Sequence, residues 1–560
     1  MTLQATASQF KTTVLNQRPK AGFLSQFVFW SWVILLFASV LQIILFYTPD
    51  NLIAIGCVLG AWVLTTTIFL RPLLLKNFPF SAFLIIGFVF TQFYFPLVFT
   101  LLEGKPLIYN LQLPEEVFLH SMLALIVLII SHTIYWMFAN QVQLSTKAPK
   151  LLTGLGIFSV PTDLQVWLIG FTGLTAMFYV HFYSPSVGHQ VSGGADKLVE
   201  ALIPFTYAPF FIPFGKLYGK KEPPKTRLTF QLIAFTLLLF VVSMGTNSRG
   251  AFMLGFTSVG FTFGLGLLLE IVKTRLFTLK NLAIGLFALW LFTGPIADIG
   301  TAMVMVRSLR ADTPRMELIA LTLDAYTQKD ALKAFQQENT SKGEDWDEEY
   351  MDNIFLARFC NLKYNDASLI LASKTGKQNP AIYEFTIDHF LSTLPVPVLD
   401  FLNLDVEKDV VNTVSFGDYL YYRVSGDAWS LGVFRTGHFA GTGMAAFGWW
   451  YLLILGIGML PIYMLYDILF VKKPTLDKNG NSDLILQFSF CGLLGLTSIF
   501  QFFPMESVEG IAAFLLRGWV QKIFLYALIY HLTRSISAVV TMMTSVRLQK
   551  ASLTRLDQAK

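Results

Sequence analysis

Arginine is scarce in long apolar sequence, so the arginines that interrupt such sequence are the first residues to read for chemistry. Residues 245–255 read GTNSRGAFMLG, and within 228–272 Arg249 is the one charge before Glu270. An arginine between two membrane-length apolar segments is costly, and as a rule it faces a cavity, a lipid headgroup or a ligand. Ser248 and Gly250 flank it, and with Gly245 they are small enough to let a substrate approach the backbone. The competing reading is a turn whose arginine snorkels to lipid phosphate.

Further arginines cluster later in the chain. Arg307, Arg310 and Arg315 follow one long apolar run, Arg423 and Arg435 precede another, and Arg517 stands near the start of the last. A guanidinium stays charged and grips phosphate oxygens with two parallel hydrogen bonds, which suits an anionic lipid head. The alternative for each is an ordinary phospholipid phosphate or a nearby carboxylate such as Asp312, Glu317, Asp418 or Asp427. Residues 434–452 read FRTGHFAGTGMAAFGWWYL, which sets His438 three residues after Arg435 among closely spaced glycines. A histidine there suits acid–base work near neutral pH, or it is a neutral hydrogen-bonding residue at a helix start. The glycines predict close helix packing or close approach of a ligand. Trp449 and Trp450 read as interfacial anchors.

The elements that must position these residues are membrane helices. Hydrophobic residues make up 54% of the 560-residue chain, charged residues 14%, and the mean hydropathy is +0.57. Such a composition predicts an all-α polytopic membrane protein. At about 20 apolar residues per span, twelve transmembrane helices are predicted near 23–47, 51–70, 79–101, 117–138, 163–183, 198–217, 228–244, 251–272, 281–304, 444–470, 485–504 and 511–533. Lys and Arg gather in the even-numbered connections and in both tails, for example in GKKEPPKTR at 219–227. The positive-inside rule therefore predicts cytoplasmic N- and C-termini. It also puts Arg249 in an outside turn, where that rule does not explain a positive charge. The predicted organisation is a cytoplasmic tail (1–21), nine helices (22–304), a large extracytoplasmic cap (305–443) between helices 9 and 10, three helices (444–533) and a cytoplasmic tail (534–560). Helical periodicity over 316–335, 352–373 and 382–391 makes the cap mostly helical.

Several classes are excluded. The net charge of +5 is too mild for a nucleic-acid partner. No P-loop, dinucleotide motif or serine elbow is present. The acids beside the outer loops (Glu103, Glu115, Glu116, Asp196, Glu200) have no metal-ligand spacing, so neither metal nor cofactor is expected. Cys57 and Cys491 fall in apolar runs, where packing is the default. Cys360 lies in a more polar region.

The stretch SRGAFMLG, the large late loop and the following GTGMAAFGWW together resemble the O-antigen polymerases of bacteria. These Wzy-type oligosaccharide repeat-unit polymerases are relatives of the O-antigen ligases. The likeness covers mainly 241–455. It implies a GT-C-like, metal-independent glycosyltransferase in the bacterial inner membrane. Its substrate would be an undecaprenyl-diphosphate-linked oligosaccharide, polymerised at the outer face into O-antigen, capsule or exopolysaccharide. Flippase and chain-length-regulator proteins of the same pathway would be its partners, beside membrane lipids. Arg249 matches the motif arginine. Arg307, Arg310, Arg315 and Arg435 match by position, and His438 more loosely, as a base for the acceptor hydroxyl alongside the cap carboxylates. Fixed guanidinium groups beside the breaking glycosyl–diphosphate bond would stabilise the departing charge.

A ligase is the nearest alternative, since it shares these motifs. A lipid-linked oligosaccharide flippase is the rival from another class. A flippase should line its path with charge, and the spans are expected to be nearly free of charge away from their outer ends.

Overall fold

The computed structural model describes residues 22–142, 149–183, 198–223, 226–244, 249–273, 278–306, 313, 315–332, 334, 349–433, 435–476, 482–502 and 505–558. Among these the fold is all-α apart from one antiparallel hairpin, which pairs Phe470–Leu476 with Ser482–Phe488. Among the described residues, eight helical segments are long and apolar enough to cross a membrane, and four further apolar helices are shorter.

The first four long helices are α1 (Phe23–Leu45), α2 (Pro49–Ile68), α3 (Pro79–Leu102) and α4 (Pro114–Val142). Thr48 starts α2 by accepting the Asn51 N–H, with Pro49 preset for the first turn. α5 (Asp163–Phe182) opens on a capping box between Thr162 and Gln165. Then come α6 (Leu228–Met244), α7 (Arg249–Leu268), α8 (Leu279–Thr293) and α9 (Pro295–Met305). The cap region adds α10 (Arg315–Thr327), α11 (Leu362–Thr375), α12 (Pro380–Ser392) and α13 (Phe416–Ser425). α14 (Phe439–Phe447), α15 (Trp450–Asp467) and the 40-residue α16 (Trp519–Gln558) complete the chain.

Five predicted spans fold differently. Residues 203–218 wind as 3-10 helix with a kink at Phe214, because Pro209 and Pro213 inside the segment lack the N–H that an α-helix needs. Gly170 and Gly173 of α5 make room for it: a Cβ at Gly173 would lie 2.2 Å from the Thr206 nitrogen. The span expected at 281–304 breaks at Gly294, ahead of Pro295. The one expected at 444–470 starts earlier, at Phe439, and breaks at Gly448, whose φ of 58° favours glycine. The described residues of the span expected at 485–504 do not form a single helix. They form a hairpin strand and two five-residue helices, Phe490–Leu494 and Leu496–Phe500, separated by Gly495. The helix expected to end at 533 runs on to Gln558.

One hydrophobic core joins the long helices to the cap region, taking in Tyr350, Met351, Leu362, Leu371, Leu420 and Phe439. The side chains of α11 are buried from Leu362 to Ala372 almost without exception. The loop 103–113 anchors this region. Glu103 accepts the N–H groups of Asp352 and Asn353, both at 2.9 Å, and Lys105 Nζ reaches Asp352 at 2.7 Å. The buried Asp366 carboxylate accepts the Gln112 and Leu113 N–H groups and pairs with Lys363 at 3.2 Å. These bonds satisfy backbone donors that burial would otherwise leave costly.

Candidate functional site

The residues named from sequence fall in different settings. Ser248, Arg307 and Arg310 lie outside the described residues. Arg249 and Gly250 begin α7 and Arg315 begins α10; nothing beyond these backbone positions is described for the two arginines. Arg423 is exposed in the last turn of α13, where a cation complements the helix dipole.

Arg435 is already engaged. Its Nη1 donates to Ser430 O at 3.2 Å and lies 3.5 Å from Asp418 Oδ1, while its guanidinium stacks 4.2 Å from the Tyr421 ring centre. Asp418 is fully buried and also accepts the backbone N–H groups of Arg435 and Gly432, at 2.9 and 3.1 Å. Ser415 Oγ donates to Arg435 O at 2.8 Å, and a Cβ on Gly417 would come within 2.4 Å of that same oxygen. Gly432, Arg435 and Gly437 are thus strapped against α13. In this structure Arg435 is paired with the Asp418 carboxylate.

His438 caps α14. Its Nδ1 accepts the Ala440 N–H at 3.3 Å, and its Nε2 lies 3.2 Å from the Gln92 amide. The ring is wholly buried, and burial pushes its pKa down to about 3, with His120 adding to the shift. Gln92 comes from a π-helical turn in α3, Phe90–Tyr94. The polar chain continues from Gln92 through Ser121 (3.5 Å) to Asn365 (3.2 Å). Thr442 Oγ1 closes the other side, donating to Glu506 O at 3.0 Å.

Arg517 has a different environment. It sits in the second π-helical turn, Phe514–Gly518, just ahead of α16. Such turns recur at functional sites. It lines a cavity of about 750 Å³ together with Lys522, Gln521, Ser498, Glu200 and the cap residue Asn412. Among the described residues, neither Arg517 nor Lys522 forms an ion pair. Glu509 is close enough to Arg517 for their charges to interact. Lys522 is half-buried in the middle of the apolar stretch Glu509–Met543. Its ammonium lies beside Gly495, where a Cβ would meet Nζ at 2.1 Å. The helix break at Gly495 therefore leaves the space that the lysine occupies.

Lys522 and Gln92 are not among the candidates that the sequence offers, and Glu200 is there only one of the acids beside the outer loops. Lys522 had a legible signal: it is a lysine eleven residues into the predicted span 511–533. It also corrects the expectation that the spans carry almost no charge away from their ends. Gln92 had a fainter signal, as the lone side-chain amide in the predicted span 79–101. Cys360 is buried, and burial raises its thiol pKa well above the ordinary value, which removes the thiolate character that reactivity needs. Among the described residues no three His, Cys, Asp or Glu side chains gather as a metal site. No protein-family model, curated protein or solved structure matches the chain.

Proposed function

We propose that this chain is a membrane glycosyltransferase that polymerises oligosaccharide repeat units carried on a polyprenyl diphosphate, with the cavity at Arg517 and Lys522 receiving the diphosphate. One observation carries the reading: two cations line a single cavity beside the cap region and form no ion pair among the described residues. Holding cations in an apolar surround is costly, and a bound anion offsets that cost. A diphosphate supplies the charge, and a lipid tail suits the apolar flanks of the cavity, such as Phe205, Leu494 and Leu525. When the glycosyl–oxygen bond breaks, charge accumulates on the leaving diphosphate. Cations fixed at that point stabilise the transition state more than the ground state. The likeness around Arg249 and the 434–452 stretch points to the same chemistry.

Deleting the gene and sizing the surface polysaccharide tests the proposal. A polymerase predicts single repeat units, whereas a ligase predicts finished polymer left on its lipid carrier. Unchanged polysaccharide sinks both.

The transport reading gains support from one feature, the mid-span Lys522 beside the broken Phe490–Leu494 and Leu496–Phe500 helices. Purified protein in vesicles separates the two. A flippase moves intact lipid-linked oligosaccharide across the bilayer and lengthens nothing, while a polymerase lengthens the glycan.

A further inference from the structure

Glycosyl transfer to a hydroxyl needs a group that takes the hydroxyl proton, and that group must stand beside the reacting carbon. His438 does not qualify. Its ring is wholly buried, its Nδ1 lone pair is taken by the Ala440 N–H, and its Nε2 faces Gln92. His120 is buried as well, with Nδ1 2.7 Å from the Tyr451 hydroxyl and its ring stacked 4.7 Å from that of Trp449. The cap carboxylates Asp418 and Asp366 are fully buried and occupied by backbone N–H groups. Among the described residues lining the cavity of about 750 Å³, Glu200 is the sole carboxylate, and it is exposed there. It comes from the segment ahead of the 3-10 helix, while Arg517 and Lys522 come from α16 and the turn before it. Base and cations thus reach one space from separate elements.

We infer that Glu200 is the catalytic base of this cavity. The inference rests on the glycosyl-transfer reading. The acceptor hydroxyl oxygen attacks the anomeric carbon and forms the new glycosidic bond as its proton passes to the Glu200 carboxylate. The bond from that carbon to the diphosphate oxygen breaks, and its electron pair leaves on the diphosphate, which faces Arg517 and Lys522. Protons and electrons balance without a co-reactant. The base and the cations act on opposite ends of the same displacement.

The experiment uses the full chain in phosphatidylcholine nanodiscs with a synthetic polyprenyl-diphosphate oligosaccharide, and offers either the lipid-linked acceptor or azide as nucleophile. Azide has no proton to lose, so it does not need the base. Glu200→Gln is expected to slow transfer to the hydroxyl acceptor about 100-fold or more, yet to form glycosyl azide at the wild-type rate. Near-normal hydroxyl transfer in Glu200→Gln, with Arg517→Gln inactive, would place the base elsewhere and leave the glycosyl-transfer reading standing. Loss of both products in Glu200→Gln would assign the residue to binding or folding, which also overturns the inference. A wild-type protein that breaks no glycosyl–phosphate bond with either nucleophile removes the reading itself, and the base with it.

Discussion

Arg435 and Asp418 hold each other through the backbone as well as through their side chains: one carboxylate oxygen accepts the Arg435 N–H at 2.9 Å and lies 3.5 Å from its guanidinium. The carboxylate has no exposure and the arginine side chain about one fifth. Removing Asp418 strands the guanidinium and the Arg435 and Gly432 N–H groups, whereas removing the Arg435 side chain leaves the carboxylate both of its backbone donors. Asp418→Ala is therefore expected to destabilise the protein by roughly 2 kcal/mol, and Arg435→Ala by less. Thermal unfolding in detergent reads both. A smaller loss in Asp418→Ala than in Arg435→Ala would show that the carboxylate is not the anchor of the strap.

Arg517 and Lys522 carry the proposed function, so neutral substitutes should separate activity from folding. Arg517→Gln and Lys522→Gln are each expected to lower chain extension about 100-fold or more while leaving membrane abundance and melting temperature near wild type. Lys522→Gln removes a half-buried cation and is expected even to stabilise slightly. Full activity in both variants would return the cavity to a role in lipid packing.

Two glycines in spanning helices should respond in opposite directions. A Cβ at Gly173 would press on the Thr206 backbone at 2.2 Å, and backbone cannot swing aside. Gly173→Ala is expected to cost about 1–3 kcal/mol or to prevent accumulation. At Gly56 in α2 nothing lies within 4 Å of the built Cβ. Gly56→Ala should gain up to about 1 kcal/mol through helix propensity. Similar melting temperatures for the two variants would contradict the packing of α5 against the 3-10 helix.

Two histidines, His438 buried and His389 half-buried, give the protein a predictable acid sensitivity. Burial pushes His389 down to about 4, against partial opposition from hydrogen bonds with the Val414 and Val411 backbone, and it pushes His438 to about 3. Both start from 6.5, so below that pH the unfolded rings take up protons while the folded rings stay neutral. Their stabilising contribution is intact above about pH 6.5 and is lost as the pH falls toward 4 and 3, at up to about 1.4 kcal/mol per pH unit for each ring. Unfolding measured between pH 7 and 4.5 should show this slope, and His389→Gln should reduce it. An unchanged slope in that variant would remove His389 from the account.

The class of fold was legible because long apolar runs admit few structures in a membrane. The helices Arg315–Thr327, Leu362–Thr375 and Pro380–Ser392 were legible because their apolar spacing is helical, although the helix expected over 352–373 is interrupted between Ala357 and Leu362. The breaks were harder to read. Pro209 and Pro213 were visible, but that they impose a 3-10 helix depends on α5 offering glycines to pack against. At 485–504 hydropathy misled: an apolar strand and two short helical pieces satisfy the same average as one span. For the site, guanidinium chemistry picked out Arg517, but side-chain type did not reveal which arginines were already paired. Arg435 was named for its neighbours in sequence, and its partner Asp418 seventeen residues earlier was one of four carboxylates considered.

The loop that anchors the cap region also sets a timetable. Gln112 and Asp366 are 254 residues apart, which at ordinary synthesis rates of about 5–20 residues per second separates their emergence by roughly 10–50 s. Throughout that interval α3 and α4 are joined by a loop whose N–H groups at Gln112 and Leu113 have no carboxylate to meet. A nascent chain stopped before residue 349 would present that open edge to quality-control proteases. Biogenesis is thus committed late, when α11 slots home and closes a bundle begun hundreds of residues before.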